Sequence, residues 1–461
     1  MRRECPPVGG ATSKRGSATV SEGILTVDIR LRLTVMNFLQ FFLWGAWLIT
    51  LGAYMFNTLH ATGGQIGAVY STLAVASLFM PGVAGIVADR WMNAERVYGL
   101  LHIIGGFQLV GAAYVTEPDK LYWLILVNSL CYMPTIAMAN TVSYNILEKN
   151  GYDVVKDFPP IRVWGTVGFI IAMWVVSLGH LELSSVQLLI GGVSAIVLGL
   201  YAFTLPACPP SGATAGASVW SAMGLDALVL FKQTKMAIFF VFSTLLGVCL
   251  QITNMFADTY IHSFDKNPLY EATLAVKFPA IIISISQMSE TLFILTIPYF
   301  LRRFGIKNVM LMSMVAWCLR FALLGAGNPG PGLWLLLLSM IVYGCAFDFF
   351  NISGSLFVEL EADKGVRASA QGLFMMMTNG IGGFFGAKGA GMIIDAYTTN
   401  GVVDWPRCWF IFAAYALVLA VVFVPLFQYK HDPEAVQGAG HHGPSTDPGG
   451  DVEPADHLVA R

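Results

Sequence analysis

FLQFFLWGAWLITLGAYMF, residues 38–56, contains no Asp, Glu, Lys or Arg and spans about five helical turns. The hydrocarbon core of a bilayer takes about 20 mainly apolar residues in helical form. In lipid every backbone N–H and C=O must bond within its own segment, so such a run is a helix. It is far too long for a barrel strand. The stretch starts near Val35, and eleven more like it start near Gly67, Val97, Tyr122, Ile161, Ser185, Met236, Ala280, Val309, Leu333, Ala368 and Cys408. The sequence therefore predicts an all-α membrane protein with twelve transmembrane helices.

Composition supports that class. Of 461 residues, 56% are hydrophobic and only 12% are charged, where soluble domains average about 25% charged. Mean hydropathy is +0.66. The net charge of -2 offers no basic field for nucleic acid. Cys131, Cys249, Cys318 and Cys345 lie in apolar stretches, Cys5 and Cys208 in tail and linker, and Cys408 at a helix start. No C-x-x-C pair or His/Cys cluster accompanies them, so neither a metal site nor a disulfide framework is expected. The polar ends, 1–29 and 431–461, read as disordered extensions. His441 and His442 read as solvated tail.

Lys and Arg orient the chain. With the N-terminus in the cytoplasm, inner segments hold Arg30, Arg32, Arg90, Arg96, Lys149, Lys156, Lys232, Lys235, Arg302, Arg303, Lys307, Lys364, Arg367 and Lys430. Outer loops hold only Lys120, Lys266, Lys277 and Arg407. This bias fits an even span number with both termini inside. The longest internal connection is rich in Pro and Gly. It separates an N-terminal six-helix bundle (30–206) from a C-terminal one (235–430), with 207–234 as a cytoplasmic linker. Two six-helix halves suggest the major facilitator architecture. Gly85, Asp89 and Arg90, in the short loop after the second span, resemble the Gly-x-x-x-Asp-Arg motif of that superfamily. Its downstream positions are degraded to Met92, Glu95 and Arg96.

Polar side chains within the spans fall on helix faces. Arg162, Thr166 and Phe169 are at i, i+4 and i+7; Gln251, Asn254 and Asp258 at i, i+3 and i+7; Gln287 and Glu290 at i, i+3. Tyr343, Phe347 and Asn351 follow one stripe, with Asp348 one residue off it. Gln40, Trp44 and Trp47 share a face of the first span. Intramembrane ionisable groups cost about 2.5–3.5 kcal/mol each on insertion scales and face the protein interior. Amides, one guanidinium, carboxylates and aromatic planes suit a neutral ligand that has hydroxyls and a flat ring. Each group also has a plainer reading. Arg162 can pair with Glu290 or Asp348 as internal glue, Gln251 and Asn254 can bond between helices, and Tyr343 and Phe347 can simply pack. Asp348 is the best proton site. Arg320 reads as structural; the sequence leaves the role of Lys388 open.

The strings at 38–56, 157–178 (DFPPIRVWGTVGFIIAMWVVSL), 250–256 (LQITNMF), 262–268 (HSFDKNP), 284–298 (SISQMSETLFILTIP) and 340–355 (MIVYGCAFDFFNISGS) closely resemble the nucleoside:proton symporter family of the major facilitator superfamily. The resemblance runs over residues 27–430. It implies that Arg162, Thr166, Phe169, Gln251, Asn254, Gln287, Glu290, Tyr343 and Phe347 contact nucleoside. It implies that Asp348 couples the proton. Residues 1–26 have no counterpart, which a start assigned upstream of Val27 would explain. Lys388 stands where a small or apolar residue is expected.

The expectation is proton-coupled uptake of purine and pyrimidine nucleosides across the bacterial cytoplasmic membrane, by a monomer in lipid, with protons as the coupling ion and no other cofactor. Rival readings are a symporter for one nucleoside such as xanthosine, a sugar symporter, a non-transporting receptor and an intramembrane enzyme. The tails offer no signalling domain and the spans no catalytic set, so no enzyme is expected.

Overall fold

The structure, a computed structural model, describes residues 18–210, 212, 225–363 and 366–429, with side chains from residue 29 onward. In the first half, α1 (Ala18–Gly45) continues through a turn into α2 (Leu51–Ala53) and a π-helical turn at Tyr54–Thr58. Then come α3 (Gly63–Arg90), α4 (Ala94–Ala112), α5 (Pro118–Lys149), α6 (Val154–Leu178) and α7 (Val186–Ala202). The second half opens with a 3-10 helix at Leu225–Lys232, followed by α8 (Thr234–His262), the short α9 (Leu274–Lys277), α10 (Pro279–Ala326) and α11 (Leu333–Glu361). α12 (Arg367–Met375), a π-helical stretch at Met376–Gly382 and α13 (Gly383–Ala396) run on from one another. A two-residue hairpin, β1 (Thr398–Thr399) with β2 (Val402–Val403), precedes α14 (Trp405–Leu426).

Local chemistry sets these boundaries. Thr62 caps α3: its hydroxyl accepts from Gln65 N–H while the Gln65 side chain accepts from Thr62 N–H, which satisfies two otherwise orphaned donors. Pro118 and Pro279 stand in the first turns of α5 and α10, where a missing N–H costs nothing. α10 bends at Gly305, whose φ of 76° and ψ of 165° place it in a region open to glycine. The two apolar stretches expected near Ala280 and Val309 therefore follow one another with no intervening loop.

Among the described residues, seven helices are long and apolar enough to cross a membrane. α1 packs on α6, α3 on α5 and α4 on α7; in the other half α10 packs on α11 and α14, and α8 on α13. The two groups meet where α3 touches α13, α6 touches α10 and α2 touches α8.

One expected boundary shifts. The first helix begins at Ala18, inside the extension expected to be disordered through residue 29. The expected linker, 207–234, is helical over Leu225–Lys232 and buries Ala227 and Leu230. Cys5, Lys364, Lys430 and the tail from residue 431, with His441 and His442, lie outside the described residues.

Candidate functional site

α6 is drawn against α1 by Gly165 and Gly168. A Cβ at Gly168 would stand 2.3 Å from the Phe38 carbonyl oxygen, and one at Gly165 2.6 Å from the Phe41 ring. This approach seats the Arg162 guanidinium 4.1 Å above the Phe41 ring, a cation–π contact that holds a half-buried cation. It also sets Phe169 edge-on to Trp44 at 6.0 Å. Thr166, between them, is half-buried. Gln40 belongs elsewhere. It is fully buried, with Thr135, Tyr98 and His102 on its amide and Tyr132 on its carbonyl. Of the aromatic face expected in the first span, Trp44 alone touches a predicted site residue.

The second group carries the other expected residues on α8, α10 and α11. Tyr343 and Phe347 stack almost parallel, 5.7 Å apart with a 6° tilt. Arg320 lies behind Tyr343, its guanidinium 4.5 Å over that ring, and donates to Ser339 O at 2.9 Å and Ser286 Oγ at 3.3 Å. Arg320 is thus buried and tied to α10 and α11 by these donated bonds. Gln287 faces the Tyr343 hydroxyl. Glu290 interacts electrostatically with Arg162 across the two groups, and with Tyr343 and Asp348 on its own side. No direct ion pair joins Arg162 to Glu290 among the described residues. Asp348 is buried, and its Oδ2 has no hydrogen-bond partner.

Phe347 and Asn351 line a pocket with Leu250, Trp317, Phe350 and Asn379. Gln251 is buried against Gly383 of α13, and Asn254 is half-buried one turn along α8. Asp258 does not join them: it is turned into a separate cluster toward the end of α8. Lys388 is half-buried on α13.

Gly85, Asp89 and Arg90 lie not in the short loop expected from the sequence but in the last turns of α3, at the end of the molecule where the halves are linked. Asp89 O accepts from Gly212 N–H at 3.1 Å, and a Cβ on Gly85 would meet open space. Glu95, at the degraded part of that motif, is buried and accepts from Cys208 N–H at 2.8 Å. Burial, reinforced by this carboxylate, pushes the Cys208 thiol up to about 11.

At the far end, opposite the linker, the sequence missed most of what joins the halves. Asp395 of α13 accepts from Gly63 N–H at 2.6 Å and Gly64 N–H at 2.7 Å, capping the start of α3 from the other group. Trp174 Nε1 donates to Ser284 Oγ at 2.9 Å. Glu182, in the loop after α6, accepts from Ala280 N–H at 2.9 Å and lies 3.2 Å from His262 Nε2. Only Asp258 and His262, four apart on α8, carried a pattern that could have flagged this region. Glu182 and Asp395 are single acids and carried none.

The chain matches the family described as Nucleoside H+ symporter over residues 27–432. It is 56% identical to the xanthosine permease of Escherichia coli K12 over 412 residues, 89% of this chain and 99% of that protein. It is 55% identical to the nucleoside permease NupG of the same strain over 418 residues, 90% of this chain and 100% of that one. The crystal structure of NupG superimposes with a TM-score of 0.83 at 56% identity, covering 87% of this chain and 100% of the other. A bacterial homologue of the lysosomal transporter Spinster shares the fold at a TM-score of 0.63 and 15% identity. With this fold and these relatives, the chain belongs to the nucleoside H+ symporter family, within the major facilitator architecture.

Proposed function

We propose that the chain carries purine and pyrimidine nucleosides into the cytoplasm at a site between its two helix groups, with Asp348 as the proton carrier. That it moves nucleosides together with protons follows from its family. The observation that carries the site assignment is the Tyr343–Phe347 stack together with the unpartnered Asp348 oxygen, with Arg162 of the other group in electrostatic reach of Glu290. The stacked rings offer a face to a flat base. Gln251, Asn254 and Gln287 offer amides to its edge and to ribose hydroxyls. Arg162 and Glu290 complete a polar shell that a neutral, hydroxyl-rich solute can share.

The proposed membrane arrangement has twelve spans, α10 supplying two, with the linker end and both termini in the cytoplasm. The basic loop residues support it. In this frame the far end is external, and its ties between halves close the external side. Rocking of the groups about the central site would expose it to each side in turn. Nucleoside is neutral, so the proton supplies the moving charge. One charge crossing 100 mV yields about 2.3 kcal/mol, a roughly fifty-fold accumulation. An acceptor with no donor in the protein, such as Asp348 Oδ2, is a natural seat for that proton. The protein would act as a monomer in lipid, with no cofactor besides protons and no covalent chemistry.

A narrower specificity is the second reading, because the xanthosine permease is as similar to this chain as NupG is. Uridine, adenosine and xanthosine competing for labelled uptake separates the two. Replacing Glu290 or Gln251 by Ala should weaken apparent uridine affinity at least tenfold in proteoliposomes. Unchanged affinity in both would move the site elsewhere.

A further inference from the structure

The central site leaves unused a second buried polar cluster, at the far end of the interface. His262 Nε2 lies 3.2 Å from Glu182 Oε2 and 3.7 Å from Asp258 Oδ2, and Nδ1 lies 3.2 Å from Asp265 Oδ2. Glu182 belongs to the first helix group, His262 and Asp258 to the second. All three are nine-tenths or more buried, and neither oxygen of the fully buried Asp258 has a hydrogen-bond partner. Tyr70 of α3 also faces Asp258, but its hydroxyl is taken, donating to Leu48 O and accepting from Gly52 N–H. Among the described residues no Lys or Arg pairs with these carboxylates. Among the described residues one imidazole is therefore the only cation paired with three acids, two of them out of water, where an unpaired charge is strongly disfavoured.

We propose that Glu182, Asp258 and His262 form a second proton-binding site, a latch on the outer gate. A proton on His262 ties Glu182 of one helix group to Asp258 of the other and holds the far end shut. Loss of that proton leaves carboxylates facing one another across the interface, and the groups part. Acid outside thus favours the inward-facing state and alkaline conditions favour outward opening. The proposal rests on the alternating-access reading above. The latch proton is distinct from the one carried with substrate: in the closed state it is sealed from the cytoplasm, and it exchanges with the external side when the gate opens.

The test uses spin labels at Tyr114 and Leu269, both exposed at the far end, in the full chain with its other cysteines replaced. The distance between them is measured without nucleoside from acid to alkaline pH. The open population should rise at least threefold on alkalinisation in the parent. It should be raised and independent of pH in His262→Gln. Glu182→Gln, which keeps an acceptor for Ala280 N–H, should show a flattened profile and stands in should His262→Gln fail to fold. An unaltered pH profile in the variants overturns the proposal. Closure by micromolar zinc at fixed pH, lost in His262→Gln, would make the cluster a metal site and also overturn it. Nucleoside counterflow in the same samples reports on the central site separately: its persistence without a latch effect would sink the latch alone.

Discussion

The two ends of this molecule are held in different ways. At the far end the helix groups touch through backbone and buried side chains: Asp395 on the amides of Gly63 and Gly64, Trp174 on Ser284, and Glu182 beside His262. At the linker end each group has ion pairs of its own. Arg30 pairs with Asp157 at 2.5 Å in the first, and Lys235 with Glu361 at 2.9 Å in the second. A transporter that rocks needs one interface that can be made and broken while each half stays rigid. The far-end ties are the ones that must break, and the linker-end ties are the ones that must persist through the cycle.

The sharpest way to break that contrast is at Gly391, where a Cβ would stand 2.3 Å from the Gly63 carbonyl. Backbone cannot yield as a flexible side chain does. Gly391→Leu should therefore wedge the far end open and cut nucleoside uptake more than tenfold with the protein still folded and membrane-inserted; normal uptake would show that α3 and α13 need not meet. Asp395→Ala removes two charge-assisted bonds, but at an exposed carboxylate, where solvent screens much of the gain. A few-fold loss of transport is expected, measured against Arg30→Ala, whose exposed pair lies within one group and whose loss should change uptake less than twofold.

The smallest effect concerns Cys208, buried beside Glu95 at the linker end. Thiolate is the species that reacts with maleimide. With the thiol pushed up to about 11 by burial, labelling should be slow at neutral pH and rise about tenfold per pH unit until that value is approached. Fast labelling at neutral pH would mean that this end opens within the first helix group as well.

The sequence carried the helices well because a bilayer leaves few choices: apolar runs of span length, ended by Arg90, Lys149 or Pro118, read almost directly as α3 and α5. The residues of the proposed central site stand out for the same reason, since Arg162, Glu290 and Asp348 are costly in lipid. Gly305 hid a tight connection, because one φ-permissive residue replaces a loop that composition would have shown. Gln40 sat on the right face of its helix yet was consumed by Tyr98, His102 and Thr135, partners far away in sequence. The far-end ties were invisible for a related reason. Asp395 acts on backbone amides of the other half, and Glu182 matters only because folding carries it to His262.

The most direct test is proton movement driven by uridine in proteoliposomes without an imposed gradient, comparing the parent with Asp348→Asn. Uridine should acidify the lumen in the parent, while the variant exchanges uridine in counterflow but moves no protons. Uridine-driven acidification persisting in Asp348→Asn would contradict the assignment of coupling to this carboxylate.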